Sequence, residues 1–191
     1  FDFTGEESEY SEFVSLADAF AKKLGSQNIT ADSIPVVPEK RNEGFLSASQ
    51  VQYVCRAGNY RKGGLSYTGA LRVLKVIMGY DYLWNQVRVK GGAYGCMCSF
   101  SKSGDSYFVS YRDPNLSKTV DVYEQTADYI AAFEQDERSM TQYIIGAISE
   151  LDTPLTPASK ALRSLTAYMT NQTESDFQKE RDELLGTTQD T

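Results

Sequence analysis

Histidine is absent from this sequence altogether. That removes the commonest general base and zinc ligand, and with it the usual catalytic triads. Cysteine is scarce: Cys55, Cys96 and Cys98 make an odd count, in a chain large enough to need no disulfide staple. This favours a reducing, intracellular compartment. Long apolar runs are also missing. Stretches such as "VLKVIMG" break off well short of the roughly 20 residues a bilayer-spanning helix needs, and no basic-then-apolar leader opens the chain. Basic residues are the minority, 19 against 26 acidic, and the formal net charge of -7 repels polyanions. Nucleic acid and acidic membrane surfaces are therefore excluded as partners.

What is present suits one domain. The 191 residues can bury one substantial core. The expected organisation is a single domain over 1–191, with an N-terminal helix and connection over 1–41 and the main body over 42–191. The chain opens on Phe1 rather than methionine, which leads us to expect a piece of a longer polypeptide.

Phe13, Leu16, Phe20 and Leu24 fall at helical spacing before Gly25. Ser33 to Gly44, with two prolines and a charge cluster, reads as a connection. Val51, Tyr53 and Cys55 lie on one side of an alternating strand, followed by the loop "NYRKGG". Leu71, Leu74, Ile77 and Met78 mark a helical stripe bounded near Gly79, either one long helix or two with a break there. "AYGCMCSFSK" and "DSYFVSYRD" read as a β-hairpin turning around Ser103 and Gly104.

Beyond it, Val120, Tyr123, Ala127 and Ile130 form one helical stripe, and Met140, Tyr143, Ile144, Ala147, Ile148 and Leu151 form another. Thr156 with Pro157 caps a further helix, and the last opens on Thr173 and Asp176 in capping-box spacing and ends at Gly186. Strands first and helices after predict a two-layer α/β or α+β domain, with a mostly antiparallel sheet covered on one face.

The stretch with most chemical content is "RVKGGAYG", Arg88 to Gly95. Gly91 and Gly92 permit a sharp bend and close approach of another backbone. Arg88 offers a planar fork of donors and Tyr94 a hydroxyl on a rigid ring. Such a pair can grip a peptide carbonyl or stabilise negative charge developing on one. The plainer alternative is a helix-to-strand turn with a solvated arginine and a core tyrosine. A phosphate loop fits less well, because the Gly-x-x-x-x-Gly-Lys-Ser/Thr spacing is missing. Cys96 and Cys98 point to one face of a strand with no third ligand in reach, and read as small core residues rather than a metal pair. Arg112 and Asp113 in "YRDPN" read as a local ion pair beside a proline turn, and "NYRKGG" as a basic surface turn or a ligand contact.

The runs "NEGFLSASQVQYV", "YTGALRVLKVIMGYDYLWNQVRVKGGAYG", "YFVSYRDPNL" and "YIIGAISELDTPLTPASKA" together resemble the last domain of the presequence proteases, in the pitrilysin and insulinase clan of zinc metallopeptidases. The resemblance runs from Asn42 to Leu185. It implies a parent enzyme whose two halves close around a chamber, with zinc held by an inverted His-x-x-Glu-His motif in a first domain that this histidine-free chain does not contain. No cofactor is then expected in this chain, and zinc is expected in the parent. Arg88 is expected to hold the peptide backbone, Tyr94 to hydrogen-bond the oxyanion, and Gly91 and Gly92 to let the peptide pass. The implied partners are the remaining domains of the same polypeptide and a short unstructured peptide substrate, and the isolated domain is expected to self-associate. A bacterial cytoplasm is expected before an organelle matrix. The competing expectation is a scaffold or assembly domain of an inactive relative.

Overall fold

The computed structural model describes residues 1–26, 34, 35, 37, 39 and 47–191. The connection expected over 33–44 lies largely outside the described residues. Two compact units are distinguished. One comprises Phe1–Ser47 with Leu155–Asn171, the other Ala48–Pro154 with Gln172–Thr191.

The first unit carries helices α1 (Tyr10–Ala21) and α6 (Pro157–Met169). α1 stops a turn earlier than its apolar spacing predicts, because the chain tightens to three-residue bonds, Lys23 N–H to Phe20 O and Leu24 N–H to Ala21 O. Phe3 packs on Phe13 and Tyr10, 4.8 and 5.7 Å between ring centres. α6 starts as expected, with the Thr156 side chain accepting from the Ser159 N–H and Pro157 in the first turn.

The second unit holds the sheet and its covering helices. Strands β1 (Gln52–Asn59), β2 (Gly95–Phe100) and β3 (Asp105–Asp113) pair antiparallel in the order β1-β3-β2. The β2–β3 hairpin turns through Ser101–Gly104 as expected, with the Gly104 N–H donating to Ser101 O. β1 and β3 register evenly from Asn59↔Asp105 to Val54↔Ser110, then Gln52 faces Asp113. β3 therefore carries one extra residue there. Arg112, at φ +49°, absorbs the bulge.

Alternation assigns the two faces. Val54, Cys98 and Phe108 turn to the core, whereas Tyr53, Met97 and Tyr107 occupy the open side. The strand expectation is thus right in period, with Tyr53 and Cys55 on one face, and that face is the exposed one.

The covering layer begins with α2 (Ala70–Ile77), which continues without a break as a wider π-helical segment, Met78–Lys90. α3 (Ser117–Glu124), α4 (Thr126–Ala131), α5 (Glu137–Leu151) and α7 (Glu174–Leu185) follow. Gly79 neither stops nor splits the helix, whereas the stripe through Val120 and Ile130 is cut at Gln125, whose ψ of 0° leaves the helical range. Met78, Tyr82, Leu83 and Val87 pack with Val54, Cys98 and Tyr123 in one cluster. Val73, Val76 and Ile77 meet Ala147 and Leu184 in a second. The Thr173–Asp176 capping box forms, and Gly186 ends α7. The result is the α+β architecture expected, an antiparallel sheet with helices on one face. No helix among the described residues is long and apolar enough to cross a membrane.

Candidate functional site

The "RVKGGAYG" stretch spans the end of the π-helical segment and the entry to β2. A local cause of the widening is visible at Asn85. Its side-chain amide donates to Asp81 O at 2.6 Å, the acceptor that α register reserves for Asn85's own N–H. The C-terminal turn is correspondingly wide. The Gly92 N–H donates to Arg88 O (2.9 Å) and the Ala93 N–H to Val87 O (3.2 Å), each spanning one residue more than the matching bonds of a Schellman cap.

Both glycines are required by this turn. Gly92 sits at φ +81°, and a Cβ on Gly91 would lie 2.4 Å from Val87 O. Buried Ala93 then pins the far side of the turn to the core.

Arg88 is half-buried, with its guanidinium 3.9 Å over the Trp84 ring. No carboxylate pairs with it among the described residues. Tyr94 is 65% exposed, which rules out the core tyrosine of the plainer reading. Its N–H donates to Tyr111 O (3.1 Å), and its ring stands edge-on to Tyr111 at 5.6 Å. Tyr111 also packs on Tyr53 at 5.1 Å. Tyr53 of β1, Tyr111 of β3 and Tyr94, just ahead of β2, thus form a row of ring contacts at the open face. Among the described residues nothing hydrogen-bonds the Tyr94 hydroxyl, and no hydrogen bond joins Arg88 to Tyr94. Trp84 and Tyr111 were not among the expected site residues. The four-residue Trp84–Arg88 spacing was a usable signal, but Tyr111 arrives only through strand pairing.

Other candidates resolve differently. Cys98 is buried and Cys96 half-buried, both against the core cluster. Burial pushes the Cys98 thiol up to about 12 and the Cys96 thiol up to about 11, Arg88 partly opposing the latter. Both are inert thiols at neutral pH. Arg112 and Asp113 form no ion pair: Asp113 is fully buried and accepts from Ser110, Thr119 and the Asn115 N–H instead. Arg61, from the "NYRKGG" loop, lines a cleft of about 380 Å³ with Tyr67, Lys102, Lys179 and Glu180. Its cations are largely committed, since Lys102 binds Glu180 at 2.6 Å, Lys179 pairs with Glu183 at 3.8 Å and Arg61 donates to Lys102 O at 3.2 Å. Among the described residues no group of three or more Cys, Asp or Glu is placed to hold a metal ion.

An antiparallel sheet with helices on one face, joined to them by a glycine turn with a stacked arginine before it and an exposed tyrosine after it, defines an α+β domain of a recognisable class. The PreP C-terminal domain family matches residues 42–191. The chain is 42% identical over 183 residues to Protein HypA of Clostridium perfringens, covering 96% of this chain and 19% of that protein. It is 39% identical over 148 residues to Presequence protease 1, chloroplastic/mitochondrial, of Arabidopsis thaliana, covering 77% of this chain and 14% of that protein. The mitochondrial presequence protease of Drosophila melanogaster is 28% identical over 193 residues. The chain belongs to the presequence-protease C-terminal domain family, and it spans less than a fifth of the length of these relatives.

Proposed function

We propose that this domain is the substrate-facing, metal-free wall of a peptidase in the pitrilysin and insulinase clan that degrades short unstructured peptides. The observation that carries the reading is the exposed Tyr94, its hydroxyl without a partner among the described residues, directly after a rigid turn that begins at Arg88 and ends on Ala93. Arg88, held flat on Trp84, donates to carbonyls of the bound peptide backbone. Tyr94 donates to the oxyanion that develops on the scissile carbonyl. Exposed Gly92 leaves the peptide a close path past Gly91.

The zinc implied by the clan finds no ligand set here. Histidine is missing, and among the described residues no three Cys, Asp or Glu side chains come together as a ligand set. This chain's contribution is therefore confined to the substrate side, and the metal site belongs to the remainder of the polypeptide. That remainder also covers the exposed apolar side chains Leu16 and Phe20 of α1 and Leu162, Tyr168 and Met169 of α6. Three free cysteines suit a reducing, intracellular setting, a bacterial cytoplasm before an organelle matrix.

The test is cleavage of a short quenched-fluorophore peptide by the full-length protein. Tyr94→Phe and Arg88→Ala each lower kcat/KM by on the order of tenfold to a thousandfold, the range for losing one transition-state donor. Wild-type kinetics in both variants would remove the site, and no cleavage by any form would leave a scaffold.

A further inference from the structure

We infer that Asn115, fixed by the buried Asp113, is a positioning residue for the Arg88–Tyr94 turn. This rests on reading Arg88 and Tyr94 as the substrate-facing pair. Asp113 ends β3 and is 0% exposed. Its Oδ2 accepts from Ser110 Oγ (2.6 Å) and Thr119 Oγ1 (2.8 Å), and its Oδ1 from the Asn115 N–H (2.8 Å). Ser110 and Thr119 are themselves buried. The carboxylate therefore ties the end of β3, the Pro114–Asn115 turn and the start of α3 into one rigid unit.

From that unit the Asn115 side-chain amide reaches across to Gly91 O at 2.5 Å. Gly91 caps the π-helical segment, so its carbonyl has no helical partner of its own. The donor comes from 24 residues away in sequence. The turn is thus held from two sides. Val87 and Arg88 carbonyls bind its N–H groups, and Asn115 binds its carbonyl. Arg88 lies three residues before Gly91 and Tyr94 three after, so the Gly91 peptide plane sets the angle at which both leave the turn. One N–H of the Asn115 amide is committed to Gly91 O, which gives the side chain a structural task at the turn.

The experiment compares full-length wild type with Asn115→Asp, Tyr94→Phe and the double variant. Asn115→Asp keeps the side-chain shape and turn preference and replaces the donor with an acceptor facing Gly91 O. Expected are a fall in kcat on the order of tenfold to a hundredfold through Tyr94, a raised KM through Arg88, a melting temperature near wild type, and a double variant whose loss is smaller than the product of the two single losses. Amide exchange at Ala93 and Tyr94 should quicken in Asn115→Asp, which reports the clamp independently of turnover. Wild-type kcat in Asn115→Asp beside a slowed Tyr94→Phe overturns the positioning role and leaves the proposed function standing, as does an additive double variant. Wild-type rates in Tyr94→Phe overturn the functional reading, and unchanged exchange overturns the clamp. Should Asn115→Asp fail to fold, Asn115→Ser, polar but too short to reach Gly91, serves the same comparison.

Discussion

Arg88 owes its orientation to Trp84. The two lie four residues apart on the π-helical segment, and at 3.9 Å the guanidinium is in contact with the ring face, a geometry worth about 0.5–2 kcal/mol depending on exposure. An arginine stacked in this way keeps its outer N–H groups free while losing little further rotamer freedom on binding a carbonyl. Trp84→Ala in the full-length protein should therefore raise KM for peptide by about 2- to 30-fold with little change in kcat, and should have no added effect in an Arg88→Ala background. Steady-state kinetics of the three variants decide it, and an unchanged KM sinks the stacking role. At this scale the site was half legible. Arg88, Gly91, Gly92 and Tyr94 share one eight-residue span and have the chemistry expected of residue type alone. Tyr111 and Asn115 reach the same place through a strand pairing and a turn, and no local spacing connects them to it.

Between elements, Glu180 does for the helical layer what Asp113 does for the turn. It is 4% exposed on α7 and receives Arg72 of α2, Lys102 of the β2–β3 loop and the Tyr67 hydroxyl. Burial pushes its carboxyl up, but the hydrogen bonds from Lys102, Arg72 and Tyr67 outweigh this and hold it below the ordinary glutamate value of 4.5. The unfolded chain therefore binds a proton here before the folded one does. The contribution to stability is complete at neutral pH and disappears as pH falls from the ordinary value through the lowered one. Glu180→Ala should cost about 2–4 kcal/mol at pH 7, chiefly by stranding Arg72 and Lys102, and should flatten the loss of stability in the acid range. Chemical denaturation at neutral and acid pH measures both, and an acid profile identical to wild type would count against the network. Helix starts were readable, since Thr156 and Thr173 cap as their side chains dictate. For α2 the sequence allows one long helix or two with a break near Gly79, and the first is what forms, because the side-chain bond from Asn85 and the packing of Met78, Tyr82 and Leu83 decide it.

At the scale of the whole chain, apolar surface is left uncovered in both units. Leu16 and Phe20 on α1, Leu162 and Met169 on α6, and Tyr53 and Met97 on the open sheet face are more than half exposed. Exposed apolar side chains of this kind offer surface for association, whereas a net charge of -7 keeps copies apart. The isolated 191-residue chain should self-associate as its concentration rises, and more so in added salt, which screens the repulsion. Phe20→Glu with Leu162→Glu should weaken this association. Sedimentation equilibrium across a salt series checks it, and a monomer at every concentration and salt level ends the idea.

The sequence by itself determined what depends on residue type and short spacing: the hairpin, the helix caps, the absence of a histidine metal site, and the span in which an arginine and a tyrosine flank two glycines. These are local consequences of Cβ sterics, capping hydrogen bonds and side-chain period. Tertiary structure alone decided which sheet face stays open, that Tyr94 lies on it rather than in the core, and that Asp113 turns inward instead of pairing with Arg112. Those outcomes depend on which faces the helices cover and on donors distant in sequence. Burial and long-range hydrogen bonds are properties of the packed chain, and a linear pattern does not contain them.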